Sequence, residues 1–338
     1  MTLDRYAALA VQTANPIARA PADIATNLER TGRLLRRGLA AHRPFGAPIK
    51  LVVLPEFAFQ GVPYRSVAEI NAHAVAVPLP GPIDAALGKI AAEHDCTIVA
   101  GTVIERDPAY PDHLFNTAPV VGPSGLIAKY RKLNPWLPIE PFSSPADVAG
   151  LAAQDPIVCL DLPCGRLGVT TCYDSYFPEL WRELALRGAE VIASPAALMH
   201  PLQDSGPDDP WRALCRVRCL ENGVYGVFAN QGASAAAFPP FGWRGGSYAI
   251  DSKGVVLAAN ESPGEGFAYA EIDLAALRAR RAGTLANHFA SQVRTKPYPY
   301  LRRESVLDGA PAASGPDDAA RTDLAERARD ALYRRGRS

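Results

Sequence analysis

Hydrophobic and polar positions alternate between two periods along this chain. Short apolar or alternating runs typical of β-strands are separated by longer segments in which apolar residues recur every three or four positions, as in amphipathic helices. The strand-like segments are YAALAV (6–11), IKLVVLPE (49–56), CTIVAGTVIER (96–106), HLFNTAPVVGP (113–123), SGLIAKYRK (124–132), RLGVTTC (166–172), EVIASPA (190–196), VYGVFANQ (224–231), SYAIDSKGVVLAAN (247–260) and GFAYAEIDL (266–274). The helix-like segments are 23–42, 81–95, 178–188 and 211–223. This mixture predicts an α/β or layered α+β protein, with helices covering mixed sheets.

The pattern breaks near the C-terminus. Residues 307–320 are rich in Pro, Gly, Ala, Ser and Asp and are typical of a linker, and 321–338 form a highly charged segment. We therefore predict one domain over 1–304 and a C-terminal extension over 305–338. The extension is either a solvated tail or an arm that binds a partner.

Composition excludes several classes of partner. The 35 basic residues balance 35 acidic ones, which gives no long-range attraction to nucleic acid or to an anionic membrane. No apolar run is long enough to span a bilayer, and the first residues lack the features of a secretory signal. Neither a zinc-binding spacing among the six cysteines nor a glycine-rich phosphate loop is present. We expect a cytoplasmic protein without metal or cofactor.

Cys172 ends a strand-like run and precedes a predicted helix. A thiol at such a corner lies near backbone N–H groups and the positive end of the helix dipole, which favour the thiolate. That arrangement suits a nucleophile that attacks a carbonyl group. The alternative for an isolated cysteine is a small, buried apolar side chain.

Two charged residues also close strand-like runs. Glu56 ends LVVLPE and Lys132 ends AKYRK, and the neighbours of both are apolar or aromatic. A charge in such surroundings requires a partner. The chain thus offers an acid, an ammonium and a thiol at the ends of separate strands.

Three blocks of sequence carry a specific resemblance. LVVLPEFAFQG (51–61), KYRKLNPWLPIE (129–140) and VTTCYDSYFPELWRELALRGAEVI (169–192) are similar, in this order, to the Glu, Lys and Cys blocks of the nitrilase (carbon–nitrogen hydrolase) superfamily. Residues 215–232 and 245–258 match two later blocks. The resemblance implies a four-layer αββα sandwich paired into a homodimer or a higher homo-oligomer, with 178–188 at the interface.

The resemblance also implies a role for each matched residue. Cys172 would be the nucleophile that forms a thioester, and Glu56 the general base and acid. Lys132 and the backbone N–H of Tyr173 would stabilise the oxyanion. Glu140, in the loop after the lysine, would orient Lys132 and the substrate.

The Lys block most closely resembles that of aliphatic amidases, which share Trp136 and the Pro-Ile-Glu run. Residues 191–201, which include Ala196 and His200, align with a stretch that lines the amidase acyl pocket. His200 and Phe57 both replace tyrosines that are common in that branch. The expected reaction is hydrolysis of a small carboxylic amide to the acid and ammonia, with Phe57, Trp136, Tyr173, Ala196 and His200 as substrate-binding residues.

Other interpretations of the function stay open. An N-carbamoyl amide hydrolase needs a basic group for the substrate carboxylate, and Arg65, Arg212 and Arg244 are available. A nitrilase is less favoured because Tyr173–Asp174 follows the nucleophile where nitrilases usually have Trp–Glu. Transfer of the acyl group to an acceptor other than water, and a scaffold without activity, are further alternatives. His200 can equally be a packed wall residue.

Overall fold

The computed structural model describes residues 3–42, 46–61, 64, 66–136, 140–199, 209–236, 240, 242–283, 292–294 and 297. The predicted pocket residue His200, the candidate basic residue Arg65 and the predicted extension 305–338 lie outside the described residues.

The described residues alternate strands and helices. The strands are β1 (Arg5–Gln12), β2 (Ile49–Val53), β3 (Thr97–Val99), β4 (Val103–Glu105), β5 (Phe115–Gly122), β6 (Gly125–Arg131), β7 (Cys159–Leu162), β8 (Gly165–Val169), β9 (Val191–Ala196), β10 (Tyr225–Asn230), β11 (Tyr248–Ile250), β12 (Val256–Ala259) and β13 (Gly266–Asp273). The helices are α1 (Pro21–His42), α2 (Val67–His73), α3 (Pro82–His94), α4 (Pro178–Leu186), α5 (Pro210–Asn222) and α6 (Leu274–Ala282). None of these helices is both long and apolar enough to cross a membrane.

The strands form two sheets. In the first, the order is β13-β1-β2-β3-β5-β4 with β6 paired to β5, and β1, β2 and β3 run parallel. In the second, the order is β12-β11-β10-β9-β8-β7, with β8, β9 and β10 parallel. The ends of β2 and β9 meet where the backbone N–H of Glu56 donates to the carbonyl of Ala196 at 3.2 Å. The carboxyl ends of parallel strands from both sheets therefore lie at one edge, where sites of α/β proteins form.

Apolar side chains fill three interfaces. Between the sheets, Leu51 and Val53 from the first join Val169 and Val227 from the second in one buried cluster. Side chains of α1 and α3 pack on the outer face of the first sheet, and those of α4 and α5 on the second. The predicted four-layer αββα sandwich is confirmed.

Three element predictions were wrong in detail. The segment 96–106 forms two strands, β3 and β4, because the chain turns at Gly101 with φ = 65°. A side chain there would place its Cβ 1.9 Å from the carbonyl oxygen of Pro55. The runs predicted over 49–56 and 166–172 end at Val53 and Val169, so Glu56 and Cys172 lie in the turns that follow.

Three elements were not predicted: α2, β7 and α6. For α2 a signal exists, because the Ser66 hydroxyl accepts from the backbone N–H of Glu69, as in the Ser-x-x-Glu pattern that begins many helices. Strand β7 is an only partly buried edge strand with weak alternation. Asp273 caps α6 through the N–H of Ala276.

Candidate active site

Cys172 opens a 3₁₀ turn, Cys172–Tyr176, between the end of β8 and the start of α4. Its φ of 46° lies in the left-handed region, which residues other than glycine seldom adopt and which costs conformational energy. The side chain is 9% exposed. The corner between strand and helix that the sequence predicts is therefore present, and the residue at this corner is strained and buried.

Asp174 holds this corner in place. Its carboxylate accepts from the backbone N–H of Thr171 at 3.0 Å and from the Tyr130 hydroxyl at 2.7 Å. It also accepts from the backbone and side-chain nitrogens of Asn134, each at 2.9 Å. One buried carboxylate thus connects the turn of Cys172 to the segment that follows β6.

The far side of the turn is held by Arg218 on α5. Its guanidinium donates to the carbonyls of Ser175 at 2.9 Å and Tyr176 at 3.2 Å, and to the Glu221 carboxylate at 2.9 Å. The bidentate reach of arginine suits this role, because two successive carbonyls are fixed by one planar group.

Glu56 lies in the turn after β2 and is almost fully buried. The next residue, Phe57, has φ = 53°, and its N–H donates to the Thr102 hydroxyl at 2.9 Å. The side-chain amide of Gln231 donates to the carbonyls of Glu56 at 3.0 Å and Phe57 at 3.2 Å. The backbone that carries the carboxylate is therefore fixed by both sheets.

Lys132 follows β6, and its ammonium lies between two carboxylates. Its Nζ is 2.9 Å from Oε1 of Glu56 and 2.5 Å from Oε1 of Glu140. Asn116 on β5 completes the cluster: its Nδ2 donates to Oε1 of Glu56 at 2.7 Å and to Oε2 of Glu140 at 3.5 Å. All four side chains are buried.

The charges of this cluster act on the thiol. Burial alone lowers the pKa of Lys132, but the carboxylates of Glu140 and Glu56 outweigh it, so its pKa is raised and it stays an ammonium. Burial raises the pKa of Cys172 well above its ordinary value, and Glu56 and Glu140 add to this rise. Lys132 and a hydrogen bond with the Ala197 backbone oppose it only in part.

The expectation that the local backbone and helix dipole favour the thiolate was therefore wrong. Burial and the two glutamates outweigh the contacts that lower the pKa of Cys172, so the resting sulfur carries its proton. A thiol of this kind needs a neighbouring base before it can act as a nucleophile. Glu56 is the candidate base, because its carboxylate acts directly on the thiol and is held by Lys132 and Asn116.

A second buried ionic cluster anchors strand β6 next to Lys132. Arg131 pairs with Glu105 at 2.8 and 2.9 Å, and Lys129 approaches the same carboxylate at 2.6 Å. The Thr117 hydroxyl donates to Glu105 at 2.6 Å. Burial acts to raise the pKa of Glu105, but the bonds with Arg131 and Lys129 outweigh it and lower the pKa. These contacts fix the strand that delivers Lys132 to the site.

The four predicted substrate-binding residues that the structure describes, Phe57, Trp136, Tyr173 and Ala196, lie in different environments. Phe57 is buried against Phe142, with ring centroids 5.6 Å apart, in the core beneath the helices α1 and α3. Trp136 is half-buried, and its carbonyl accepts from the N–H of Glu140 at 2.8 Å. Ala196 is buried at the end of β9.

Tyr173 follows the thiol directly and is half-buried. Its ring contacts those of Tyr176 and Phe177, at centroid distances of 5.4 and 5.3 Å. The contributions of Phe57, Trp136, Tyr173, Ala196 and His200 to substrate binding stay predictions.

Asn116, Gln231 and Asp174 hold the site, but the sequence analysis gave them no role. One signal was available for Asn116, a polar residue directly after Phe115 in a fully buried strand, where an amide needs hydrogen-bond partners. Among the described residues, no group of three or more His, Cys, Asp or Glu side chains is arranged to hold a metal ion.

An αββα sandwich whose strand ends bring a cysteine, a glutamate and a lysine to one edge defines a class of hydrolases that act on carbon–nitrogen bonds. Comparison with known families agrees: the model of the family described as carbon–nitrogen hydrolase matches residues 8–282. The chain belongs to this family and is a carbon–nitrogen hydrolase, as the sequence predicted.

Individual relatives support the same assignment. The chain is 35% identical over 240 residues to a nitrilase from Pyrococcus abyssi (strain GE5 / Orsay), covering 71% of this chain and 83% of that protein. It is 29% identical over 195 residues to a formamidase from Bacillus cereus (strain G9842), covering 57% of this chain and 54% of that protein. The structure resembles Saccharomyces cerevisiae Nit3, a member of branch 10 of the nitrilase superfamily, with a TM-score of 0.66, 26% identity, and coverage of 84% and 96% of the two chains.

Proposed function

We propose that this protein hydrolyses a small carboxylic amide to the acid and ammonia through a thioester on Cys172. The observation that carries the proposal is the Lys132 ammonium held between Glu56 and Glu140, at 2.9 and 2.5 Å, with the protonated thiol in the field of all three. These are the groups that amide hydrolysis requires: a nucleophile, a base that also serves as an acid, and a fixed positive charge.

In the first half of the reaction Glu56 takes the thiol proton, and the sulfur of Cys172 attacks the carbonyl carbon. The negative charge that develops on the carbonyl oxygen is stabilised by Lys132 and by the backbone N–H of Tyr173. When this intermediate collapses, Glu56 gives its proton to the departing nitrogen. Ammonia leaves, and the acyl group stays on sulfur as a thioester.

In the second half a water molecule replaces ammonia. Glu56 takes a proton from the water, which attacks the thioester carbon, and the same ammonium stabilises the oxyanion. The carbon–sulfur bond breaks, the acid is released, and the thiol regains its proton from Glu56. Glu140 keeps Lys132 in place throughout, because its contact with the ammonium does not involve the reacting atoms.

An amide is favoured over the alternatives by three observations. The Lys block resembles that of aliphatic amidases, and one of the relatives is a formamidase. Two of the arginines that a carbamoyl substrate would need are engaged elsewhere. Arg212 pairs with Glu261 at 2.9 Å, and Arg244 pairs with Asp209 at 2.5 Å.

The direct test measures ammonia and acid from short aliphatic amides, aromatic amides, N-carbamoyl amino acids and nitriles. We expect aliphatic amides to be the preferred substrates, with equal amounts of acid and ammonia. Preference for nitriles or carbamoyl compounds would overturn the choice of substrate, and ammonia in excess of acid would indicate acyl transfer to another acceptor.

The nucleophile is tested by Cys172→Ala, which we expect to abolish turnover while leaving the circular dichroism spectrum unchanged. Cys159→Ala is the matched control, because this half-buried thiol on β7 lies apart from the site. Substantial hydrolysis by Cys172→Ala, or an equal loss in Cys159→Ala, would remove the proposed mechanism.

We also propose that two copies of the chain associate through α4 and α5. Leu186, Val217 and Leu220 on these helices are 52%, 48% and 41% exposed, which is unusual for large apolar side chains grouped on adjacent helices. We expect sedimentation to report at least a dimer, and Val217→Glu to shift it toward the monomer. A monomeric wild-type protein would contradict this.

A further inference from the structure

Asn116 forms hydrogen bonds with all three charged members of the described cluster, Glu56, Glu140 and Lys132. Its Nδ2 lies 2.7 Å from Oε1 of Glu56 and 3.5 Å from Oε2 of Glu140, and its carbonyl accepts from the backbone N–H of Lys132 at 2.8 Å. It lies near the start of the fully buried strand β5, opposite Ile104 of β4. Neighbouring strands therefore fix its position on both sides.

We propose that Asn116 is a positioning residue of this site, whose amide holds Glu56 and Glu140 apart and keeps Glu56 ready to take the proton of Cys172. The inference rests on the proposed amide hydrolysis, because it assigns to Asn116 the preparation of the base in that reaction.

The charge balance of the cluster explains the need for such a group. Two carboxylates share one ammonium, and a second carboxylate nearby favours protonation of the first. A hydrogen bond donated to an ionised carboxylate favours the ionised form. Asn116 donates one N–H to each glutamate without adding a second cation, so Lys132 stays the sole ammonium between them among the described residues.

The orientation of the amide follows from the same contacts. Oδ1 of Asn116 is buried and has no hydrogen-bond partner among the described residues. Turning the amide over would satisfy neither carboxylate, because it would place this acceptor against two other acceptors. The negative charges therefore select the conformer in which both N–H groups face the glutamates.

The first test is Asn116→Asp, which replaces the side-chain NH2 group with an oxygen atom. The new carboxylate replaces a donor by an acceptor and faces Glu56, Glu140 and Lys132, with the thiol of Cys172 beyond them. Asp174 also acts on Lys132. Added negative charge makes protonation of the carboxylate cluster easier, so the base is lost at a higher pH.

We expect the acid limb of the kcat/KM profile to move up by about one pH unit and activity at pH 7 to fall at least about tenfold. Asn222→Asp is the matched control. Asn222 is a buried asparagine on α5 that donates to the carbonyl of Arg218 at 2.9 Å, and its Oδ1 likewise has no hydrogen-bond partner in the described part of the chain. We expect this control to leave the acid limb where it is in the wild type.

Asn116→Ala removes the donors without adding charge, and we expect a shift of the same sign but smaller size. If Asn116→Asp fails to fold, the test is made with Asn116→Ala. A residue with a purely structural role would lower activity equally at every pH, and the acid limb would stay in place. That result, or an equal shift in Asn222→Asp, overturns the inference.

A second readout needs no substrate. The rate at which iodoacetamide alkylates Cys172, followed by mass spectrometry of its peptide, depends on the base that removes the thiol proton. We expect its acid limb to move with that of kcat/KM in the Asn116 variants. If the wild type hydrolyses no amide and the alkylation limb still shifts, the proposed function fails and the role of Asn116 stands.

Discussion

Replacing Gly101 with alanine is expected to damage the active site more than the fold. Gly101 lies in the turn between β3 and β4, and its φ of 65° already disfavours a side chain. A Cβ at this position would lie 1.9 Å from the carbonyl oxygen of Pro55, the residue before Glu56. Either the turn or the segment that carries the proposed base Glu56 must move.

The size of the backbone displacement determines the expected loss of activity. Nonbonded carbon and oxygen atoms need a separation of at least 3.0 Å, so the backbone must give way by roughly 1 Å. A misplacement of that size costs about 10²-fold in rate when it affects a catalytic group. The left-handed backbone adds about 1–2 kcal/mol of destabilisation, and overpacking adds about 1–3 kcal/mol.

Gly223→Ala separates the cost of the left-handed backbone from the cost of the steric overlap. Gly223 ends α5 at φ = 60°, and a Cβ there would meet no atom within 4 Å among the described residues. This variant therefore carries the backbone cost alone, and we expect a loss of about 1–2 kcal/mol in the free energy of unfolding with unchanged kcat/KM. Urea unfolding and ammonia release measure the two quantities. Wild-type activity in Gly101→Ala, or equal losses in both variants, would refute the reasoning.

Two further predictions concern the buried ion pair and the core. Glu105→Gln should lower the free energy of unfolding by about 3 kcal/mol, because the buried Arg131 guanidinium loses this carboxylate and keeps its contact with Asp107. The folded state lowers the pKa of Glu105 below its ordinary value of 4.5, so the stabilising effect of this carboxylate is present above pH 4.5 and is lost as the pH falls through the folded pKa. A Glu105→Gln variant whose urea midpoint declines with acid as steeply as that of the wild type would contradict this. Trp181→Ala should cost about 3–5 kcal/mol, because the buried indole stacks on Phe228 with centroids 5.8 Å apart, whereas Val255→Ala, at a valine that is 51% exposed, should change the urea midpoint little.

Most of the sandwich was predictable because its strands and helices have strong periodic patterns. Strand β1, helix α1, helix α5 with its stop at Gly223, and the hairpin of β11 and β12 all lie where the sequence predicts. The failures occur where a long-range contact decides the backbone. The break at Gly101 is one, since the oxygen that excludes a side chain there belongs to residue 55, which is distant in sequence.

The candidate reactive residues could be named from the sequence, and their roles stay predictions, but their electrostatic state could not be predicted. The ends of three strand-like runs and the order of three blocks pointed to Glu56, Lys132 and Cys172. The sequence around Cys172 predicted a lowered pKa for its thiol, because the start of a helix can be recognised from the sequence. Burial raises this pKa and could not be recognised in the same way. The charge state of a buried thiol depends on groups from other strands, and their distances cannot be derived from a single chain segment.

The same dependence on distant segments explains why the sequence predicted no role for Asn116 and Asp174. Each acts by joining segments that are far apart in sequence: Asn116 links Glu56 to Glu140, and Asp174 links the turn of Cys172 to Asn134. Neither residue carries out a bond-forming step, so neither resembles a nucleophile, a base or a ligand. Buried amides and carboxylates inside apolar runs are the sequence signal for such residues, because their polar atoms are stable only when a partner from another segment is supplied.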